Sequence, residues 1–292
     1  MKDLGHLRYC LGIEIARSEK GIFLSQRKYV LDLLHEAGMR NCKPLKLPLT
    51  PNLKLLSDTG KYMKNPKQYR RLIGQLIYLT TTRPDLSYSV QLLSQFMHKP
   101  TEEHTKEAMH ILRYLKRAPR QGVLLSKTSS TQLNAYCDSD WGSCPISRKS
   151  TTGYGILLGK SPISYRVKKQ GVVARSSAEA EYRAIVETCC EVTWLLSLLK
   201  DLTIDHLEPV NLYCDSQAAL HIMANPVFHE RTKHIELDCH YVHDKFKAKQ
   251  IKPSYMSSRD QLADILTKIT TAEQYHEMLV KFGVVNLFQH QT

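Results

Sequence analysis

The chain of 292 residues contains no run of 18 or more apolar residues, which excludes a membrane-spanning helix. No apolar stretch follows a basic start, so no secretory signal is read at the N-terminus. Eight cysteines are scattered along the chain without a CxxC pair or zinc-ligand spacing. That argues against a disulfide scaffold and a zinc module, and the eight read as reduced thiols of an intracellular protein, cytoplasmic or nuclear. His240 and His243 stand near Cys239, but on one amphipathic helical stretch, where packing or solvent exposure is the expected role. No basic amphipathic helix stands out, so no membrane partner is expected. What the chain has in excess is positive charge: 41 Lys and Arg against 28 Asp and Glu, a net of +13. A polyanionic partner, nucleic acid, is the reading that follows.

The length allows two domains with separate cores. Residues 8–25 read as two strands about a turn at Glu19–Gly21. A helix follows and ends at Gly38. Residues 41–66, rich in Pro, Lys, Asn and Asp, read as a loop. Helical periods then run from about Gln68 to Leu79, Asp85 to Phe96, and Thr101 to Lys116, the last with Thr101 at its cap. A basic, Pro- and Gly-containing stretch near 118–130 marks the boundary, giving domains at 1–122 and 130–292. The second half reads β-β-β-α-β-α-α-β-α, with a hairpin about Gly159–Pro162 and a long helix opening in SSAEAEYRA. That order suits one mixed sheet with helices on its faces.

Two strands end in nearly the same residues, Tyr136-Cys137-Asp138-Ser139 and Tyr213-Cys214-Asp215-Ser216. Ligands gather beyond the carboxyl ends of parallel strands. If the two strands are parallel neighbours, Asp138 and Asp215 lie side by side, and a divalent cation satisfies them. The alternative is that each caps the turn or helix after it. Glu181 heads the apolar stripe of the long helix (Ala184, Ile185, Thr188, Cys189, Val192), where a carboxylate needs a reason to be, whereas Glu179 faces a more polar set. Its alternative is a first-turn acid interacting with the helix dipole. Asp264 follows the last strand; by itself it reads as a surface acid. Asp140 and Asp260 compete for places in the set. Four carboxylates from separate elements suit a two-metal phosphodiester site.

The blocks CDSDW, RKSTTGY, KKQGVVARSSAEAEYRA, CDSQAAL, FHERTKHIELD and ADILTK resemble the ribonuclease H domain of copia-type (Ty1/copia) retrotransposon polyproteins. MKDLGHLRYCLGIEI, GIFLSQRKYVLDLL, YRRLIGQLIYLTTTRPDLSYSV and LRYLK resemble the same polyprotein's reverse transcriptase downstream of its catalytic turn. The resemblance covers nearly the whole chain in order. It implies an α/β fold, a mixed five-stranded sheet with flanking helices, preceded by a smaller α+β remnant of palm end and thumb-like helices. It implies cleavage of the RNA strand of RNA–DNA hybrids with two Mg2+ ions, Mn2+ substituting. The family's four acids fall on Asp138, Glu181, Asp215 and Asp264, each both catalytic and metal-binding; the family is what selects Asp264.

The paired aspartates of a polymerase turn are absent before residue 25, and no polymerase activity is expected from this chain. No integrase or protease block is present. The loop Ser257–Arg259 carries no histidine where many ribonucleases H have one; His229 and His234 lie earlier. Arg148, Lys149, Lys168, Lys169, Arg231 and Lys233 are candidates for backbone phosphates of a hybrid, with a solvated basic face as the alternative. Ser139 and Ser216 are candidates for substrate contact or turn capping. Trp141 stacks on a sugar or packs. Two other readings are a catalytically inactive relic that only binds duplex nucleic acid, and a strand transferase. The second requires a late Glu where the chain has Asp264.

Overall fold

The computed structural model describes residues 5–51, 53, 55–56, 60–204, 208–224 and 236–286. The first 129 residues build one compact unit. Its strands are β1 (Tyr9–Cys10), β2 (Ile13–Ser18) and β3 (Gly21–Ser25), an antiparallel meander. Helix α1 (Arg27–Glu36) turns Val30, Leu33 and Leu34 inward and ends at Gly38, whose φ of +66° supplies the left-handed residue a helix end favours. Pro66 opens α2 (Pro66–Leu79), and Asn65 caps it by accepting from Lys67 N–H. The stretch expected as one helix from Asp85 is a 3-10 turn at Pro84–Leu86 running into α3 (Ser87–Ser94). Thr101 caps α4 (Glu102–Arg117) as expected.

Strand β4 (Gly122–Ser126) falls inside the stretch read as a boundary. It pairs with β3 along five residues, so the first sheet extends beyond the two strands the sequence suggested.

The second unit spans Ser130–Lys268. It contains β5 (Leu133–Asp140), β6 (Thr151–Leu158), β7 (Ser161–Lys169), α5 (Ser177–Asp201), β8 (Val210–Cys214), α6 (Gln217–Ala224), α7 (Glu236–Lys247) and β9 (Ile251–Tyr255). The strands form one sheet in the order β7-β6-β5-β8-β9. β5, β6 and β7 are antiparallel, while β8 lies parallel to β5 and to β9. This is the mixed five-stranded sheet expected. Alternation sends Leu133, Ala135, Cys137, Val210, Leu212 and Cys214 to one face, where Ala184, Ile185, Cys189 and Val192 of α5 cover them. Each fully buried aliphatic side chain there contributes about 1.5–3 kcal/mol. Among the described residues no helix is long and apolar enough to cross a membrane.

After Lys268 the chain rejoins the first unit through α8 (Ala272–Lys281) and β10 (Val284–Val285). This corrects the expected division, in which the second domain ran to residue 292. The physical reason is twofold. β10 pairs with β4, and the Tyr275 hydroxyl donates to the buried carbonyl of Asp85 at 2.5 Å. The Asp85 side chain is itself held by Arg83, Tyr114 and Gln121.

Candidate metal centre

The ladder between β5 and β8 stacks like residue types along one face. Asn211 donates to Asn134 at 3.0 Å, and the Tyr136 and Tyr213 rings stack at 5.0 Å. The next alternating position on each chain is an aspartate, Asp138 and Asp215. The expected parallel pairing is therefore present and brings the two strand-end acids to one edge. Glu181 reaches the same place from the first turns of α5, which begins at a Ser176 cap accepting from Glu179 N–H. One Glu181 oxygen accepts from Ser139 N–H at 3.1 Å and the other from the Cys214 thiol at 3.9 Å, so it sits between the two strand ends. Asp264 comes from a 3-10 turn, Leu262–Leu266, where the sequence suggested the start of a regular helix.

The turn carrying Asp264 also delivers Thr267 and Lys268. The Thr267 hydroxyl donates to Asp138. Lys268 Nζ lies 3.0 Å from Asp264 Oδ1 and 3.8 Å from Asp138 Oδ2. Gly153, opposite Asp138 on β6, lets this turn approach: a Cβ there would stand 2.7 Å from Thr267 and 2.8 Å from Leu266. Ser258 Oγ donates to Asp215 at 2.6 Å. None of these second partners was singled out from the sequence. Only Lys268, four residues after Asp264, carries a spacing signal.

Burial and like charge dominate the electrostatics. Asp138, Glu181 and Asp264 are each at least nine-tenths buried. Burial, followed by the charge of Asp138 and its neighbours Cys214 and Asp215, pushes Glu181 up to about 10. Burial and Asp138 push Asp264 up to about 7 against the pull of Lys268. Burial raises Asp138 as well, although Lys268 and Thr267 oppose it. Lys268 is held above its ordinary value because Asp138 and Asp264 outweigh its own desolvation. One lysine therefore faces an excess of buried carboxylate, the condition a divalent cation relieves. The donors are mainly hard oxygens, which fit Mg2+ or Mn2+. Glu181, Cys214 and Asp215 have ligand atoms within 4.8 Å of one another; the thiol of this trio already serves as a donor to Glu181.

The remaining candidates fall into distinct places. Ser139 is buried, its hydroxyl accepting from Gln170 at 3.3 Å. Ser216 caps α6, accepting from Ala219 N–H at 3.2 Å. Arg148 is exposed. Lys149 donates to Gly171 O, Lys168 pairs with Glu187 at 2.8 Å, and Lys169 lies 4.0 Å from the Cys144 sulfur. Trp141 is half exposed and donates to Ala174 O. Arg231, Lys233, His229 and His234 lie outside the described residues. Glu179, read as polar-facing, is also buried, and is consumed by Arg183 and by Arg175 N–H. Asp140 is raised by burial and by Asp138. Asp260 accepts from Ser257, and the next residue, Gln261, caps the 3-10 turn.

No family model matches the chain. It is 44% identical over 287 residues to the Retrovirus-related Pol polyprotein from transposon RE1 of Arabidopsis thaliana, covering 98% of this chain and 20% of that protein. It is 45% identical over 194 residues to the uncharacterized mitochondrial protein AtMg00810 of the same plant, covering 66% of this chain and 80% of that one. A solved structure similar to it is LC11-RNase H1, isolated from compost, at 16% identity and a TM-score of 0.37, covering 51% of this chain and 99% of that one. The mixed five-stranded sheet with helices on its faces is the α/β architecture that the sequence resemblance implied. The chain's homologues are retrovirus-related Pol polyproteins of copia-type transposons, matched at 35–44% identity over most of this chain. It spans about one fifth of the length of the polyproteins it matches (20% of RE1 and of RE2).

Proposed function

We propose that the second unit is a metal-dependent endonuclease that cuts the RNA strand of RNA–DNA hybrids. The observation that carries this is the convergence of Asp138, Glu181, Asp215 and Asp264 from four separate elements on one sheet edge, three of them buried. These four would hold Mg2+, with Mn2+ as substitute. Bound as a pair, such ions supply an activated water and neutralise charge on the leaving oxygen in in-line phosphodiester hydrolysis.

The chain's own groups orient the ligands. Ser139 N–H fixes Glu181, the Thr267 hydroxyl fixes Asp138, and Ser258 fixes Asp215. Arg148, Lys149, Lys168 and Lys169 are the proposed contacts to the hybrid's phosphates. The Lys168–Glu187 pair is exposed and holds its lysine by less than about 1 kcal/mol, so a phosphate replaces it easily. The test is a labelled hybrid incubated with the purified chain and Mg2+. Cleavage of the RNA strand is expected, and Asp138→Asn or Asp215→Asn should lower it by at least about a hundredfold. Intact RNA after prolonged incubation with either Mg2+ or Mn2+ overturns the proposal.

A further inference from the structure

The parallel ladder of β5 and β8 stops two residues before the acids. Its pairs are Asn134–Asn211, Ala135–Leu212 and Tyr136–Tyr213. β5 then continues against β6 to Asp140, and β8 against β9 to Cys214, so the two strands part and leave a fork. Neighbouring strands about 4.8 Å apart go on pairing unless something occupies the gap, because unpaired buried carbonyls are costly. Gln261, with 0% exposure, fills it. Its Nε2 donates to Cys137 O at 3.0 Å and to Tyr213 O at 3.3 Å, one from each strand. Tyr213 O receives a second, weaker contact from the Cys137 thiol at 3.5 Å. On the other side Gln261 Oε1 accepts from Ala263 N–H at 3.2 Å and caps the 3-10 turn of Asp264.

One amide thus touches the backbone immediately before Asp138, two residues before Asp215, and at the neighbour of Asp264. We propose that Gln261 is a positioning residue: a wedge that sets the separation of Asp138 and Asp215 and brings Asp264 across them, so fixing how many divalent cations the centre holds. The inference rests on reading these acids as metal ligands. Only a carboxamide offers two coplanar donors and an acceptor on a stem of this length. An aliphatic side chain offers none, and a glutamate offers acceptors alone to two carbonyls. With the donors gone, the fork is free to zip by two more pairs, Cys137–Cys214 and then Asp138–Asp215, which places the two aspartates directly opposite and closes the space between them. A two-ion centre needs its ions about 3.5–4 Å apart.

The test uses the full chain and Gln261→Met, which keeps length and volume while deleting both donors. Mn2+ stoichiometry and affinity are measured by calorimetry, alongside kcat and KM on the hybrid. The expected result is loss of one Mn2+ equivalent, or a weakening of about 10- to 100-fold. A comparable fall in kcat should accompany it, with KM for the hybrid unchanged. Thr188→Val serves as the stability control: this side chain is equally buried, and among the described residues its hydroxyl bonds only Ala184 O of its own helix, at 2.7 Å. It should leave Mn2+ binding untouched. Wild-type Mn2+ stoichiometry, affinity and kcat in Gln261→Met overturns the proposal, and so does an equal loss in Thr188→Val. If Gln261→Met does not fold, Gln261→Glu is read in the same way. Failure of both to fold assigns Gln261 a purely structural role and also overturns it. A wild-type chain that binds no Mn2+ overturns the metal reading itself, which is a separate result.

Discussion

Glu181 is pulled in two directions at the scale of a single side chain. Burial and three neighbours favour its protonated form, while a cation would favour its carboxylate. Because its folded value, about 10, lies above the ordinary 4.5, the folded metal-free state binds more protons than the unfolded one across that window. The contribution is full below pH 4.5 and is lost as pH rises toward 10. Asp264 adds the same sign between 3.8 and about 7. The metal-free protein should therefore melt lower at pH 8.5 than at pH 6 in buffered scans with chelator, by about 5 °C or more. Saturating Mg2+ should restore the loss, and Glu181→Gln should flatten the dependence while abolishing cleavage. A melting temperature that rises with pH in the chelated protein would contradict this.

At the scale of elements, the site depends on a close approach between a strand and a turn. The Leu262–Leu266 turn can lie over β6 because position 153 has no Cβ. Gly153→Ala forces Leu266 and Thr267 away, and with them Asp264 and Lys268. Overpacking of this kind costs about 1–3 kcal/mol. Chemical denaturation should show that loss, and cleavage should fall further than the stability change alone explains. A variant with wild-type kcat would show that the turn can shift without consequence for the acids. Motif blocks place Gly153 beside chemically informative residues, but only the register of β5 against β6 reveals what the missing side chain makes room for.

At the scale of the whole molecule, the chain leaves its first unit at residue 129 and returns to it at residue 269. The return is anchored at Asp85, wholly buried and bonded to Arg83, Tyr114 and Gln121. Asp85→Asn leaves the Arg83 guanidinium buried without its counter-charge and should cost about 3–5 kcal/mol. Limited proteolysis should then cut α8 first, while the second unit, which shares none of these bonds, keeps its protection. Equal sensitivity in both units would show that they unfold as one.

Local pattern was enough for much of this protein. Period-two and period-3.6 hydrophobicity marked the strands and helices that carry Asp138, Glu181 and Asp215, since which face is apolar is written in the residues themselves. The apolar stripe separated Glu181 from Glu179 in role, though not in burial, because an arginine one turn away neutralises Glu179. Asp264 required a family resemblance. The short 3-10 turn that bears it has too few residues to show a period. What only tertiary structure decided was where long-range contacts fall. Gly153, Gln261, Thr267 and Lys268 owe their roles to neighbours more than a hundred residues away or across a sheet. The return of residues beyond 268 to the first unit depends on a strand partner and a buried carbonyl that no local window contains. Periodicity reports which side of an element is buried, and only the packed chain determines what it is buried against.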